Sequence, residues 1–387
     1  MIANFSSSFR RRQAGLSLIE LMIALLIGSI LLIGLVQVFG ASRTAYQTSE
    51  GLARVQENAR FAIDYLQRDI RMAGHFGCVN DQAHWVKGAG DLVNHLGTTP
   101  AALDFGVSIS GYEASNTAPG QVVTSGSAAT GWSPALPAQI AALNPSPGSD
   151  IIALRFLAGE GVPATALVNT GSDTAVTFPS GRAAVLTSEG VSTPSLFGVA
   201  DCSHVDVFQG AISGATVQSS GGADFAAQYT TSPSGQTLLY RAESIVFYVA
   251  PGASGQPALW RARANAAGAY PAAAREELVE GIESLQFLYG QDATAVIDPA
   301  TPPVGNITSQ DTAETLTADV NEWRRVGLVQ IGVLAVSPNP AAAMAPGATA
   351  TQPRVLGVRF APPATADARI RNGYEVTVAL RNRLFGN

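Results

Sequence analysis

The sequence predicts an α+β chain: a long N-terminal α-helical spine packed on a β-rich, antiparallel head. Three observations carry this expectation. Residues 21–39, LMIALLIGSILLIGLVQVF, form an apolar run with no charge in it. Residues 41–73 continue without proline, and apolar side chains recur there at steps of three and four, the period of a helix with one buried face. Beyond Cys78 the composition turns to Gly, Ala, Ser, Thr and Pro, and short apolar segments alternate with the period of two that marks strands.

The apolar run sets the compartment. About 20 residues rising 1.5 Å each span a hydrocarbon core of roughly 30 Å. Arg10, Arg11 and Arg12 lie just upstream and favour a cytoplasmic N-terminus, so residues past about 42 are expected outside the cytoplasm. A cleaved secretory signal would have a shorter apolar core and no carboxylate at its start; here Glu20 opens the run. A plain single-span anchor gives Glu20 no task, although a carboxylate at that depth costs about 2.5–3.5 kcal/mol.

Gly15-Leu16-Ser17-Leu18-Ile19-Glu20-Leu21, behind a basic leader, resembles the processing motif of type IV pilins and pseudopilins. The resemblance implies cutting after Gly15 by a prepilin peptidase, methylation of the new N-terminus at Leu16, and a role in assembly for Glu20. An α-amine at Leu16 is largely cationic at neutral pH, and a carboxylate on a neighbouring helix would neutralise it. A contact within the same helix is the alternative. Leu16 stands where major pilins usually have phenylalanine, and Gln37 where many have a helix-kinking proline; both departures point away from a major subunit.

The helix is expected to run from Leu16 to Ala73. Its apolar stripe is Leu52, Val55, Ala59, Ala62, Leu66 and Ile70. Its polar faces carry Glu50, Arg54, Glu57, Arg60, Asp64, Arg68 and Asp69, with acid-before-base pairs at Glu50/Arg54 and Asp64/Arg68. Gly74 and Gly77 are expected to end it. Gly28, Gly34 and Gly40 recur every six residues and suit close helix packing or bending.

Asn58 to Cys78, NARFAIDYLQRDIRMAGHFGC, resembles the PilW family of minor pilins and, more distantly, the J-type pseudopilin of type II secretion. The stretches LVEGIESLQFLYGQD and YEVTVALRNRLFGN resemble the same family. Strands are expected at IIALRFLAG from Ile151, at TLLYRAESIVFYVAP paired with PALWRAR through a turn at Gly252 to Gly255, and at ESLQFLYG with Leu285, Phe287 and Tyr289 on one face. Further strands are expected in WRRVGLVQIGVLAVSP from Trp323 and around Tyr374, Val376, Val378 and Leu380. These late strands are expected to form one antiparallel sheet on the helix. Residues 84–149 read as loops with short strands, and 160–235, 292–318 and 338–353 as long surface loops.

The chain has two cysteines, Cys78 and Cys202. In an exported body they are expected to form one disulfide; two buried free thiols are the alternative. No catalytic or metal-binding pattern emerges. His75, His84, His95 and His204 lack zinc-protease spacing, and no nucleophile elbow, phosphate-binding loop or dinucleotide fingerprint occurs. Glu276 and Glu277 read as a solvated face, and Trp85, Trp132, Trp260 and Trp323 as core packing. GQDATAVIDPATPPVGN lacks the aspartate spacing of a calcium loop, so no metal and no cofactor are expected. A net charge of −6 with Lys87 as the only lysine argues against nucleic acid.

The expected organisation is a leader over 1–15, a membrane and assembly half-helix over 16–40, an amphipathic half over 41–74, and an exported head over 75–387 subdivided near 235. The resemblance implies a structural, non-enzymatic minor pilin that primes assembly of the type IV pilus and enters it in a tip-associated complex. Its implied partners are the prepilin peptidase, other minor pilins, a tip adhesin and the major pilin. It would sit in the inner membrane with its head in the periplasm before assembly, and in the pilus at the cell surface afterwards. A pseudopilin of a type II secretion system is the alternative; a membrane-tethered adhesive or binding module is a weaker one.

Overall fold

The computed structural model describes residues 15, 17–80, 92–297, 301, 303–316, 320–341, 352–365 and 367–383. The leader residues 1–14, Leu16, His84, Trp85 and Lys87 lie outside the described residues, as do 342–351 of the expected 338–353 loop.

The first element is one helix, α1, Leu18–Ile70, of 53 residues. At 1.5 Å per residue it is about 80 Å long. Arg71 closes its last turn, and the chain then turns at Gly74 and Gly77, whose φ of 73° and 82° a side chain rarely tolerates. Of the expected stripe, Val55, Ala59, Ala62, Leu66 and Ile70 are buried in the head. Leu52 is not: Gly51 faces the head in its place, close against Ala341 and Ile370, and Leu52 is 37% exposed. Asp69 is also corrected, from a solvated face to a buried position where its Oδ2 accepts from Arg261 at 2.8 Å. Arg68 pairs with Glu189 across the fold, while Glu50 and Arg54 do meet along the helix, at 3.9 Å and in solvent.

Two sheets receive the helix. The first is four-stranded and antiparallel, in the order Ile307–Asp311, Ile282–Asp292, Val326–Val336, Arg371–Ala379. Its register sets Phe287 opposite Ile331, and Ile331 opposite Val376. The second has 13 strands and is built around the 14-residue strand Leu238–Pro251. The C-terminal part of that strand pairs with Ile151–Leu157 on one side and Pro257–Arg263 on the other. Its N-terminal part pairs with Leu196–Ala200, which leads into Val205–Ser213, Thr216–Ser220, Asp173–Thr177 and Ala166–Thr170. The strand therefore feeds several cores, two of which matter most here. Ile245, Phe247 and Val249 join the α1 stripe, Leu285, Phe287, Tyr289, Val329 and Ile331 in the core beneath the helix. Leu239 joins Val176, Phe178, Phe197, Phe208, Val217 and Phe225 in a separate outer core.

That outer core corrects the expectation of surface loops over 160–235. The segment is a β-rich lobe whose hairpins turn at Gly171 and Gly214. Its strands are short and rich in Thr, Ser, Gly and Ala, so alternation was masked: in Asp173–Thr177 the buried positions are Thr174 and Val176. Two smaller corrections follow. Residues 292–318 include the strand Ile307–Asp311 and the turn of helix Ala313–Leu316. Trp323 lies in the short helix Val320–Arg324 ahead of its strand, packed edge-on against Tyr289 in the core. The pair Leu238–Pro251 and Pro257–Arg263 also stands in the larger sheet, apart from the four late strands. Ser284 and Gln286, on the face opposite Leu285 and Phe287, are buried too and donate to the carbonyl of Gly148.

Cys78 and Cys202 are bonded, with Cα atoms 4.9 Å apart and 124 residues between them in sequence. The bridge ties the segment just after α1 to the outer lobe. A ladder of charges also links the end of α1 to the head: Arg68 to Glu189, Glu189 to Arg241 at 3.5 Å, Arg241 to Glu243 at 2.5 Å, Glu243 to Arg263 at 3.4 Å, then Glu276, Arg261 and Asp69. Glu276 is thus part of an ion-pair network rather than a purely solvated face. Burial lowers the Arg263 pKa, whereas Arg261 ends above its ordinary value because Asp69 and Glu276 outweigh its burial.

Candidate functional site

The N-terminal half of α1 stands free of the head. Side chains first reach the head near Thr48, whose hydroxyl donates to the Ala341 carbonyl at 2.8 Å. From Leu18 to Phe39 the large apolar side chains are exposed around the whole circumference, Ile30 at 60% and Val36 at 68%. A helix apolar on every side needs an apolar surrounding, and this one is long and apolar enough to cross a membrane. Gly15, Gly28, Gly34 and Gly40 have open space where a Cβ would stand. Among the described residues nothing demands glycine there, so close packing at these positions needs a second helix.

Ser17 and Glu20 build the tip of this half-helix. Ser17 is the N-cap, in extended conformation, and its hydroxyl accepts from the Glu20 amide at 3.2 Å. The Glu20 Oε2 accepts in return from the Ser17 amide at 3.0 Å. This reciprocal capping box satisfies two of the helix's free amides and sets a carboxylate against the positive end of the helix dipole. Glu20 Oε1 has no partner among the described residues, and the side chain is exposed. The structure thus places Glu20 beside its own helix start, one turn from Gly15. Cys78 and Cys202 lie elsewhere, at the far end of the helix.

Asp292, at the start of the stretch weighed for calcium, is committed to the backbone. Its carboxylate accepts from the amides of Thr294, Val304 and Gly305 at 2.9, 3.2 and 2.7 Å. Burial would raise its pKa, but these donors leave it below the ordinary aspartate value. Among the described residues no cluster of three or more His, Cys, Asp and Glu side chains is arranged to hold a metal ion.

Residues 10–36 match the prokaryotic N-terminal methylation motif, and residues 246–382 match the family described as Type IV Pilus-assembly protein W. Over these two segments the chain is similar to PilW-type, type IV pilus-related pilins. The second match begins inside the strand Leu238–Pro251 and takes in the four-stranded sheet under α1. The outer lobe and the segment Asn58 to Cys78 lie outside both matches. No curated protein matches the chain. A type IV-like pilin from Thermus thermophilus overlaps 37% of this chain and 70% of its own, at 17% identity and a TM-score of 0.20, too slight for a fold comparison. The methylation motif implies processing by a prepilin peptidase and assembly with other pilins. With the bare apolar helix it fits a pilin anchored in the inner membrane and later held in the pilus.

Proposed function

We propose that this chain is a minor pilin that primes assembly of the type IV pilus and enters it within a tip-associated complex of minor pilins. The observation that carries the proposal is a helix tip with a half-committed carboxylate, followed by an apolar rod with no partner of its own. Glu20 spends Oε2 on its own cap and keeps Oε1 for another subunit. Cutting after Gly15 would create a cation at Leu16, and a neighbour's Glu20 is the acid that can neutralise it in an apolar bundle. The bulk of the head, with its added outer lobe, favours a scarce subunit: repeated at every turn of a filament, so large a head would meet its neighbours. Minor pilins, a tip adhesin and the major pilin are the partners this reading requires, and no step in it needs catalysis.

Removing the gene from its host should sharply reduce surface pili and twitching movement while secretion of folded enzymes continues. Restoring the gene as Glu20→Ala should give a protein that is inserted and cut before Leu16, by mass of its N-terminal peptide, yet is depleted from sheared pili. Normal pili with blocked secretion would instead assign the chain to a type II secretion pseudopilus. Wild-type levels of the Glu20→Ala protein in pili would exclude the charge-pair mechanism.

A further inference from the structure

Two carboxyl groups are buried side by side where the two sheets of the head meet. Glu113, 3% exposed, is the next-to-last residue of the strand Ile109–Ala114, and Asp150, 2% exposed, immediately precedes Ile151–Leu157. Asp150 holds both sheets. Its Oδ1 accepts from the Ala114 amide of the larger sheet at 2.8 Å, and its Oδ2 accepts from the Phe287 amide of the four-stranded sheet at 3.0 Å. Glu113 adjoins Asp150, since one hydroxyl, that of Thr117, lies 3.2 Å from both carboxyl groups, and Glu113 Oε2 meets no donor among the described residues.

The donors present do not complete this site. The Thr117 hydroxyl lies 2.7 Å from the Ala114 carbonyl, and 3.2 Å from both Glu113 Oε1 and Asp150 Oδ1. It has one hydrogen for three acceptors, and the shortest contact is the carbonyl. Two ionised carboxylates are acceptors only and repel each other in a dry site. A single proton between them removes one charge and supplies the missing donor, giving a short charge-assisted hydrogen bond.

We propose that Glu113 keeps its carboxyl proton in the folded head and donates it to Asp150, making the pair a proton-dependent clasp between the two sheets. Among the described residues, the groups acting most strongly on Glu113 and Asp150 include no cation, and Arg155 acts instead on the neighbouring Tyr112. Tyr112 lies on the same strand, Tyr289 reaches in from Ile282–Asp292 with a hydroxyl that has no hydrogen-bond partner, and Glu314 on Ala313–Leu316 adds a negative field. Burial first, then the charge of Asp150, pushes Glu113 well above the usual carboxylate range; burial also raises Asp150, against the amides that donate to it. A raised folded-state value means stability that is complete at low pH and is lost as pH rises through that value.

The test uses the full chain in detergent and Glu113→Gln, whose amide donates from the same position without titrating. Between neutral pH and about 9 the wild-type folding equilibrium constant should fall about tenfold more per pH unit than that of the variant, the signature of one retained proton. Infrared spectra at neutral pH should contain a protonated-carboxyl carbonyl band that is missing from Glu113→Gln. Equal pH slopes, or the absence of that band from the wild type, would overturn the proposal. If Glu113→Gln does not fold, the wild-type band alone decides between the two outcomes.

Discussion

The two halves of α1 share one backbone and one continuous set of helical hydrogen bonds, yet they answer to different surroundings. In the half from Leu18 to Phe39 every face is apolar and every face is exposed. From Thr48 to Ile70 one stripe is buried, to the last atom at Val55, Ala59, Ala62 and Leu66, while Leu52, Phe61 and Tyr65 stand exposed among the charged residues of the other faces. The head therefore does not stabilise the helix as a whole. It covers the part whose circumference is divided, and leaves bare the part whose circumference is uniform. The distribution of apolar residues around a helix, more than their number, specifies what will cover it.

That contrast can be pressed at graded sites. The largest effect is expected at the distal end of the docked half. Replacing Cys78 and Cys202 together by serine should cost about 5 kcal/mol of head stability on chain-entropy grounds, read from denaturant midpoints under oxidising conditions. Unchanged midpoints would mean that packing and the ion ladder alone fix the outer lobe to the helix. Next comes Leu66→Ala, which should cost about 2–5 kcal/mol because the site is closed on all sides. The matched Ile30→Ala in the bare half should stay within about 0.5 kcal/mol, since nothing in the head touches it. Comparable losses from both would erase the distinction between the halves. The smallest effect is expected for Arg54→Ala. Its pair with Glu50 is half exposed on both sides, so a change of at most about 0.5 kcal/mol is expected.

The parts of the fold legible in sequence were those where one face is strongly apolar. The α1 stripe, Ile151–Leu157, Leu238–Pro251 and Val326–Val336 carry dense aliphatic and aromatic runs that declare helix or strand directly. The outer lobe was not legible because its burial is shared with threonine, serine and glycine. Thr174 and Ser219 are fully buried because each spends its hydroxyl on a backbone partner, Phe225 N and Ala223 O among them. Asp69 was misread for a different reason. Its partner Arg261 lies 192 residues away, and local spacing carries no trace of such a partner. At the helix tip Glu20 stood out as a charge opening an apolar run, and Ser17 three residues earlier was the signal for the capping box that went unread. Glu113 and Asp150 were missed because a buried acid reads as an exposed one until the fold closes over it.

The Cys78–Cys202 bond has a mechanical consequence. If the proposed function holds and the chain sits in a filament by its helix, a load on the filament pulls it along that helix. Tension leaving α1 at Ile70 reaches Cys78 and passes directly to Cys202, so the 124-residue separation between them is short-circuited. At about 3.5 Å per extended residue, some 430 Å of chain cannot be paid out under load while the bond is intact. The strands Ile109–Ala114 and Ile151–Leu157 and the hairpin of Ala166–Thr170 and Asp173–Thr177 all lie inside that closed ring. A tug on an oxidised subunit is thus a tug on the remaining strands only, and its extension is capped by covalent chemistry rather than by the strength of its sheets.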